Sequence, residues 1–363
     1  MARLIEPPIA RAVARRFAGA PLEDGSYLLD RLRRDLAEAV PYSERLVAQA
    51  SGIPPPPAVP WGVIDRVEWA DANIVGMSAL LEPLAEVVNK RLASQPAAVR
   101  LAQRAIVSVE VGVLLGYVSR RVLGQYDLLV PAGEDDDAPR RRRLRARRPS
   151  PAVLYFVGQN IVETERRFGF VPRDFALWVA LHEVTHRFQF EGVPWLRPRF
   201  LELVNSYLGS VNLDARTLAR RLRSAAATLM SRSVPPEEKN PVYLLASDEQ
   251  REVLDDIQAL MAVVEGHGNY VMDTVGRRVI PSMERMRGVF ERRRDQTRGV
   301  QRAIQYVIGL DLKLRQYELG QRFCDTVVAR RGPDVLGKLW VAPSHLPTLA
   351  ELRQPDLWLT RVA

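Results

Sequence analysis

The sequence contains a single cysteine, Cys324, and this scarcity excludes two kinds of architecture. An internal disulfide needs a second thiol, and a cysteine-rich metal site needs several. Disulfide-free chains are typical of reducing compartments, so we expect a cytoplasmic protein. With 363 residues, of which 47% are hydrophobic, the chain is long enough to bury a core without such cross-links.

Long apolar runs are missing as well. The longest, Ala105 to Val118, is interrupted by Glu110 and is shorter than the roughly 20 residues that a transmembrane helix needs. The basic segment at residues 1–21 lacks the continuous apolar stretch of a secretory signal. The sequence therefore predicts no membrane contact.

Nucleic-acid motifs are also absent, although the formal net charge is +9 at pH 7. Seven arginines are concentrated in residues 140–148, directly after the acidic run at residues 134–137. The other arginines are spread along the chain and do not form a basic stripe interleaved with aromatic residues. We therefore expect no nucleic-acid partner.

One segment, residues 175–190, contains two of the four histidines. It reads FALWVALHEVTHRFQF and places His182 and His186 four residues apart, on one face of a helix, with Glu183 between them. This is the pattern of a zinc hydrolase, in which the imidazoles bind Zn²⁺ and the glutamate takes a proton from an activated water. Arg187 departs from the pattern, because the position after the second histidine is usually uncharged in zinc peptidases.

The surroundings of this motif are apolar. The residues from Phe175 to Leu181 leave no polar face, so we expect a helix that is buried on most sides. An unpaired buried polar group costs about 1–3 kcal/mol, and an unpaired charge costs more. A divalent cation that binds both imidazoles would remove that cost.

A catalytic zinc ion normally has three protein ligands, and the best source of the third is residues 260–276. Glu265 and His267 lie about 200° apart around a helix, so they are not expected to bind the same ion. We favour Glu265, on the precedent of sites with two histidines and a glutamate, and keep His267 as the alternative. Asn269 and Asp273 follow on the face of Glu265, where they could orient a ligand.

Two glycines, Gly266 and Gly268, flank His267 in this apolar helix. Each costs roughly 1 kcal/mol relative to alanine in a helix interior, so a compensating role is expected. Close approach to the metal-binding helix would supply one. We therefore expect the two helices to pack against each other at these glycines.

The remaining sequence predicts a mainly α protein with a small β element. Residues 125–130 and 151–158 are short apolar runs that we interpret as strands, which could pair as a hairpin. Trp61 is interpreted as a core residue. The predicted regions are an N-terminal helical region at 1–130, a charged mobile loop at 131–150, a metal-binding core at 151–285, and a C-terminal helical region at 286–363.

Several segments resemble a family of bacterial zincin-like hydrolase candidates associated with deazaflavin-cofactor biosynthesis. The matching stretches are VIDRVEWADANI, VLGQYDLLVP, DFALWVALHEVTHRFQFEGVPWLR, VEGHGNYVMDTVG, GLDLKLRQYELGQRF and LPTLAELRQPDLWLTRV. They extend over most of the chain from about residue 60. The resemblance implies a zincin-like helical architecture and a zinc site that uses His182, His186 and Glu265, with Glu183 as the base.

The function expected from these observations is zinc-dependent hydrolysis of a peptide or a small amide. The rival hypothesis is a non-catalytic protein in which the metal ion braces two helices or helps to bind a partner. An accessible fourth position on the metal would favour the enzyme, and a closed site would favour the scaffold.

Overall fold

The computed structural model of the protein describes residues 4–20, 26–92, 94–128, 154–210, 246–295 and 310–362. Contacts divide the chain into two compact units. The first unit contains Met1–Gln49, Pro54–Gly192 and Val275–Met286, and the second contains Ala50–Ile53, Val193–Thr274 and Arg287–Ala363. The charged loop predicted at residues 131–150 lies outside the described residues.

Helices dominate the described part of the chain, and they are accompanied by short 3₁₀ helices at Pro333–Trp340 and Pro343–His345. This confirms the prediction of a mainly α protein with a small β element. The α-helices are α1 (Pro7–Ala18), α2 (Tyr27–Ala50), α3 (Arg66–Leu80), α4 (Glu82–Leu92), α5 (Ala97–Ser119), α6 (Gly158–Phe168), α7 (Pro172–Gly192), α8 (Leu196–Gly209), α9 (Asp248–Val279), α10 (Met283–Asp295), α11 (Leu310–Arg331), α12 (Leu349–Arg353) and α13 (Pro355–Arg361).

The β element is a sheet in the first unit, and in the described residues it has the order β1-β3-β2. Its strands are β1 (Trp61–Ile64), β2 (Gly124–Tyr126) and β3 (Leu154–Val157). Strand β2 pairs antiparallel with β3, which is the pairing that the sequence left open. Strand β1 pairs parallel with β3, with Trp61 opposite Leu154, and this strand was not predicted from the sequence. Four residues that include a glycine are too short a run to display strand periodicity.

A hydrophobic core in the first unit joins α1, α3 and α5 to the sheet. The buried residues that form it are Ile5, Ala10, Ala14, Ile64, Trp69, Ala70, Ala72, Ile74, Val111, Leu115, Tyr155 and Val157. Strand β3 is buried along its whole length, since each of its residues is at most 1% exposed. This fits its uniformly apolar sequence.

Helix α5 is longer than the apolar run predicted at residues 105–118. It has 23 residues. Among the described residues it is the one helix whose length and composition would allow it to cross a membrane. The apolar run at residues 105–118 is therefore part of a longer helix, which starts at Ala97. Only 22% of its most apolar 18-residue stretch is buried in the protein.

Helix α7 carries the histidine motif. It begins at Pro172 and ends at Gly192. Asp174 lies in the first turn, where its Oδ2 accepts hydrogen bonds from the backbone N of Ser282 at 3.0 Å and from its hydroxyl at 2.5 Å. This contact fixes the amino-terminal end of α7 within the first unit.

In the second unit, α9 and α11 approach so closely at two glycines that their backbones touch. A Cβ atom on Gly266 would lie 2.1 Å from the carbonyl carbon of Gly320, and one on Gly320 would lie 1.8 Å from the oxygen of Ala262. The close neighbour of Gly266 is therefore Gly320 of α11, whereas the sequence had led us to expect α7 there. The pattern of glycines indicated a close crossing but could not identify its partner.

We predict that Gly320→Ala destabilises the protein, since the added methyl group must push α9 and α11 apart. Overpacking costs about 1–3 kcal/mol, which outweighs the roughly 1 kcal/mol that alanine gains in helix propensity. Urea unfolding midpoints measure the effect. Gly209→Ala in α8 is the matched control, because a Cβ there meets nothing within 4 Å. A midpoint for Gly320→Ala at or above that of the wild type would contradict the prediction.

Candidate metal centre

Helix α7 turns its two imidazoles toward each other. The Nε2 atoms of His182 and His186 are 3.2 Å apart, and the ring planes meet at 86°. Two ligand atoms that each lie about 2.0–2.1 Å from a tetrahedral zinc ion are about 3.3–3.4 Å from one another. The pair therefore fits a single zinc ion. Both residues are partly exposed.

Gln189 sets the orientation of His186. Its side-chain oxygen lies 2.9 Å from Nδ1 of His186, and Gln189 is fully buried. Because a carbonyl oxygen only accepts, this contact favours the tautomer with the proton on Nδ1, which leaves the lone pair of Nε2 for a metal. One turn earlier, the ring of His182 stacks on Trp178 with the planes at 10°.

We predict that Gln189→Leu weakens zinc binding by about 10- to 100-fold, because His186 loses the acceptor that fixes its tautomer. Competition with a chromophoric chelator measures the affinity. Thr185→Val is the matched control on the same helix, since the buried Thr185 hydroxyl donates only to the carbonyl of Leu181, at 2.7 Å. Equal affinities for the two variants would rule out this role for Gln189.

Glu183 lies against the backbone of strand β2. It is 6% exposed. A Cβ atom on Gly124 would be 2.6 Å from Cγ of Glu183 and 2.8 Å from its Oε1. Any side chain at position 124 would occupy the space of the carboxylate. The glycine in β2 therefore allows the strand to pack directly on this glutamate.

Arg187, the departure from the usual motif, points into the protein and is 1% exposed. Its guanidinium forms an ion pair with Glu44 of α2 and donates to the carbonyl oxygens of Pro56 at 3.2 Å and Pro57 at 2.8 Å. Glu191, one turn on, lies 3.3 Å from its Nε. These two carbonyls belong to four consecutive prolines at residues 54–57, which we call the proline connector. A polyproline segment makes no internal hydrogen bonds, so the arginine supplies donors to its carbonyl oxygens.

The other predicted site residues lie on α9, in the second unit. Glu265 is 3% exposed and His267 is fully buried. Nε2 of His267 lies 3.2 Å from the carbonyl oxygen of Ser51, and its ring packs edge-on against Trp340. His267 is therefore a hydrogen-bonded core histidine. Asn269 is partly buried.

Asp273 is engaged within the second unit as well. Its Oδ2 accepts hydrogen bonds from Arg287 at 2.7 Å and from Gln321 at 3.0 Å. This carboxylate is part of a local polar cluster. Its predicted role in orienting a metal ligand stays a prediction.

Two residues of the centre were not predicted from the sequence, Gln189 and Gly124. Gln189 lies three positions after His186, a spacing at which helical side chains meet, so this signal was available. Gly124 and Glu183 are distant in the sequence, so their contact could be identified only from the folded structure. Cys324 is excluded as a nucleophile, because burial raises the pKa of its thiol well above the usual range.

An i, i+4 histidine pair with an intervening buried glutamate, on a helix beside a small sheet, defines a zincin-like site. The chain belongs to the zincin-like metallopeptidase family, whose profile matches residues 5–359. This confirms the family resemblance and the zincin-like fold class, whereas the association with deazaflavin-cofactor biosynthesis stays a prediction.

A solved structure is also similar over almost the whole chain. It is a crystal structure from Chloroflexus aurantiacus, described as that of a candidate hydrolase with a novel fold, with a TM-score of 0.68 and 33% identity. The alignment covers 98% of each chain. No curated protein matches the sequence. Taken together, the family and this relative indicate a metal-dependent hydrolase.

Proposed function

We propose that the protein is a zinc-dependent hydrolase of peptide or small amide bonds. The observation that carries the proposal is the convergence of two imidazole nitrogens, 3.2 Å apart, on a helix that also carries a buried glutamate. Membership in a family of zincin-like metallopeptidases supports both the metal and the reaction class.

In this proposal His182, His186 and Glu265 hold the ion. They supply two imidazoles and one carboxylate, a donor set that could hold a metal ion and that zinc accepts. The main alternative, His267, already uses its Nε2 in the contact with the Ser51 carbonyl. Gln189 keeps the proton of His186 on Nδ1, so that Nε2 remains a donor.

A bound zinc ion supplies Lewis acidity, which polarises a carbonyl group and lowers the pKa of water toward 7. Glu183 is the general base: its carboxylate takes a proton from the attacking water and delivers it to the leaving nitrogen as the C–N bond breaks. The backbone of β2 at Gly124 restricts the space open to this carboxylate. Restriction of that kind favours a base that is held ready for proton transfer.

We predict that Glu265→Gln lowers zinc affinity at least tenfold, whereas His267→Gln leaves it within about threefold of the wild type. The reason is that the first change neutralises a ligand, and the second alters a residue that bonds to Ser51. Zinc titration against a chelator, with circular dichroism to check folding, measures both. The opposite ranking of the two variants would assign the ligand to His267.

We predict that Glu183→Gln retains zinc but loses hydrolysis by about 10²- to 10⁴-fold, since a positioned general base contributes that much to the rate. Elemental analysis measures the metal, and turnover of a mixed peptide and amide library measures activity. Glu202→Gln, on the exposed side of α8, is the control and should leave both unchanged.

Two results would contradict the proposal. Activity of Glu183→Gln equal to that of the wild type would remove Glu183 as the base. A zinc-loaded wild type that cleaves no peptide or amide would favour the rival hypothesis of a metal-braced scaffold.

A further inference from the structure

Helix α5 is apolar on nearly all sides, yet in the part of the chain that the structure describes only one of its faces is covered. The covered face packs on α1 through two glycines, because a Cβ atom on Gly112 would lie 2.6 Å from the oxygen of Ala10 and one on Gly116 would lie 2.7 Å from the oxygen of Ala14. Ser108, Val111 and Leu115 are buried on the same side. A helix that is apolar all round is normally buried or in contact with lipid.

The opposite face carries a continuous apolar row, which we call the α5 stripe. Its members follow at the three- and four-residue spacing of one helix face, and they are Val99, Ala102, Ile106, Val109, Val113 and Tyr117. Val99 is 40% exposed, Ile106 57% and Val109 42%. Clustered exposed apolar side chains mark an interaction surface, whereas single ones do not.

Arginines surround the carboxyl-terminal end of the stripe. Arg120 and Arg121 follow α5 directly and are exposed, and the guanidinium of Arg121 lies 3.6 Å from the centre of the Tyr117 ring. The last turn of α1 adds the exposed Arg15 and Arg16. We call these four residues the basic end.

An exposed aromatic side chain, Phe17, lies beside the stripe and next to Arg16 of the basic end in the sequence. Phe17 of α1 is 44% exposed, and its Cβ lies 2.7 Å from where a Cβ on Gly116 would be. The close packing of α1 on α5 thus places an exposed ring beside the stripe. Exposed aromatic and basic side chains next to an apolar face are typical of helices that lie in the headgroup region of a bilayer.

We propose that the α5 stripe and the basic end dock on an anionic lipid surface, with α5 lying along the surface and its glycine face still packed on α1. Charge complementarity favours this occupant. Anionic headgroups would pair with the four arginines of the basic end. The α5 helix of a second copy of the chain would offer these arginines few acidic partners, since Glu110 is the only acidic residue of α5. Glu110 and Gln103 lie along one edge of the stripe, which fits a helix that lies on a bilayer and does not span it.

This surface lies wholly in the first unit and does not depend on the metal centre. The earlier expectation of no membrane contact rested on the run at residues 105–118, whereas the apolar helix extends from Ala97 to Ser119. The proposal can therefore be tested with zinc-free protein and without a substrate.

The experiment is co-sedimentation of the full chain with phosphatidylglycerol–phosphatidylcholine vesicles and with phosphatidylcholine vesicles alone. We expect at least tenfold tighter partitioning to the anionic vesicles, and weaker partitioning in high salt. Ile106→Glu and the double change Arg120→Glu, Arg121→Glu should each reduce binding at least tenfold. Val341→Glu is the matched control, because Val341 is an apolar residue outside α5 that is 65% exposed, and it should bind as the wild type does.

Three outcomes would overturn the proposal. They are the absence of sedimentation with either vesicle, equal binding to neutral and anionic vesicles, and equal loss of binding in Val341→Glu and Ile106→Glu. Light scattering provides a fourth test: a wild-type dimer that Ile106→Glu converts to a monomer, without vesicle binding, would assign the stripe to a second copy. Because the altered side chains are exposed, circular dichroism should stay unchanged.

Discussion

The buried polar side of α7 is the constraint that organises the first unit. Along this helix a glutamate, a threonine, an arginine and a glutamine are all buried, and an unpaired polar group at such a position costs about 1–3 kcal/mol. Three of these residues have a compensating contact that the structure identifies: Arg187 has proline carbonyls, Gln189 has His186, and Thr185 has the carbonyl of Leu181. The proline connector, α2 and strand β2 therefore supply polar partners for buried side chains of α7. Tyr126 of β2 adds a hydrogen bond to Glu191 at 2.9 Å.

Features that depend on neighbouring residues in the chain could be predicted from the sequence. The limits of α7 follow from Pro172 and Gly192, and the facing imidazoles follow from a four-residue spacing. The same holds for the capping box of Ser247 and Gln250, in which each residue bonds to the backbone N of the other, at 2.8 and 3.2 Å. Helical geometry alone fixes such contacts, so no knowledge of the fold is needed.

Features that join distant segments could not be predicted in the same way. The partners of Arg187 lie about 130 positions away, at Pro56 and Pro57, and strand β1 is defined only by its pairing with β3. Gly266 was expected to meet α7 but meets Gly320 instead. A single sequence shows that a glycine lies within a predicted helix. The contact that requires this glycine can be identified only in the folded structure.

Glycine has one role at three places in this protein: it lets a backbone approach without an intervening side chain. It does so between α1 and α5, between α9 and α11, and between β2 and Glu183. The third case bears on chemistry, because the neighbour of Gly124 is the carboxylate of the proposed base and not another backbone. A motif search would assign the centre to residues of α7 alone. The structure adds the backbone of β2 at Gly124, which packs against the carboxylate of Glu183. The position of the proposed base therefore depends on the absence of a side chain at residue 124 as well as on the side chains around it.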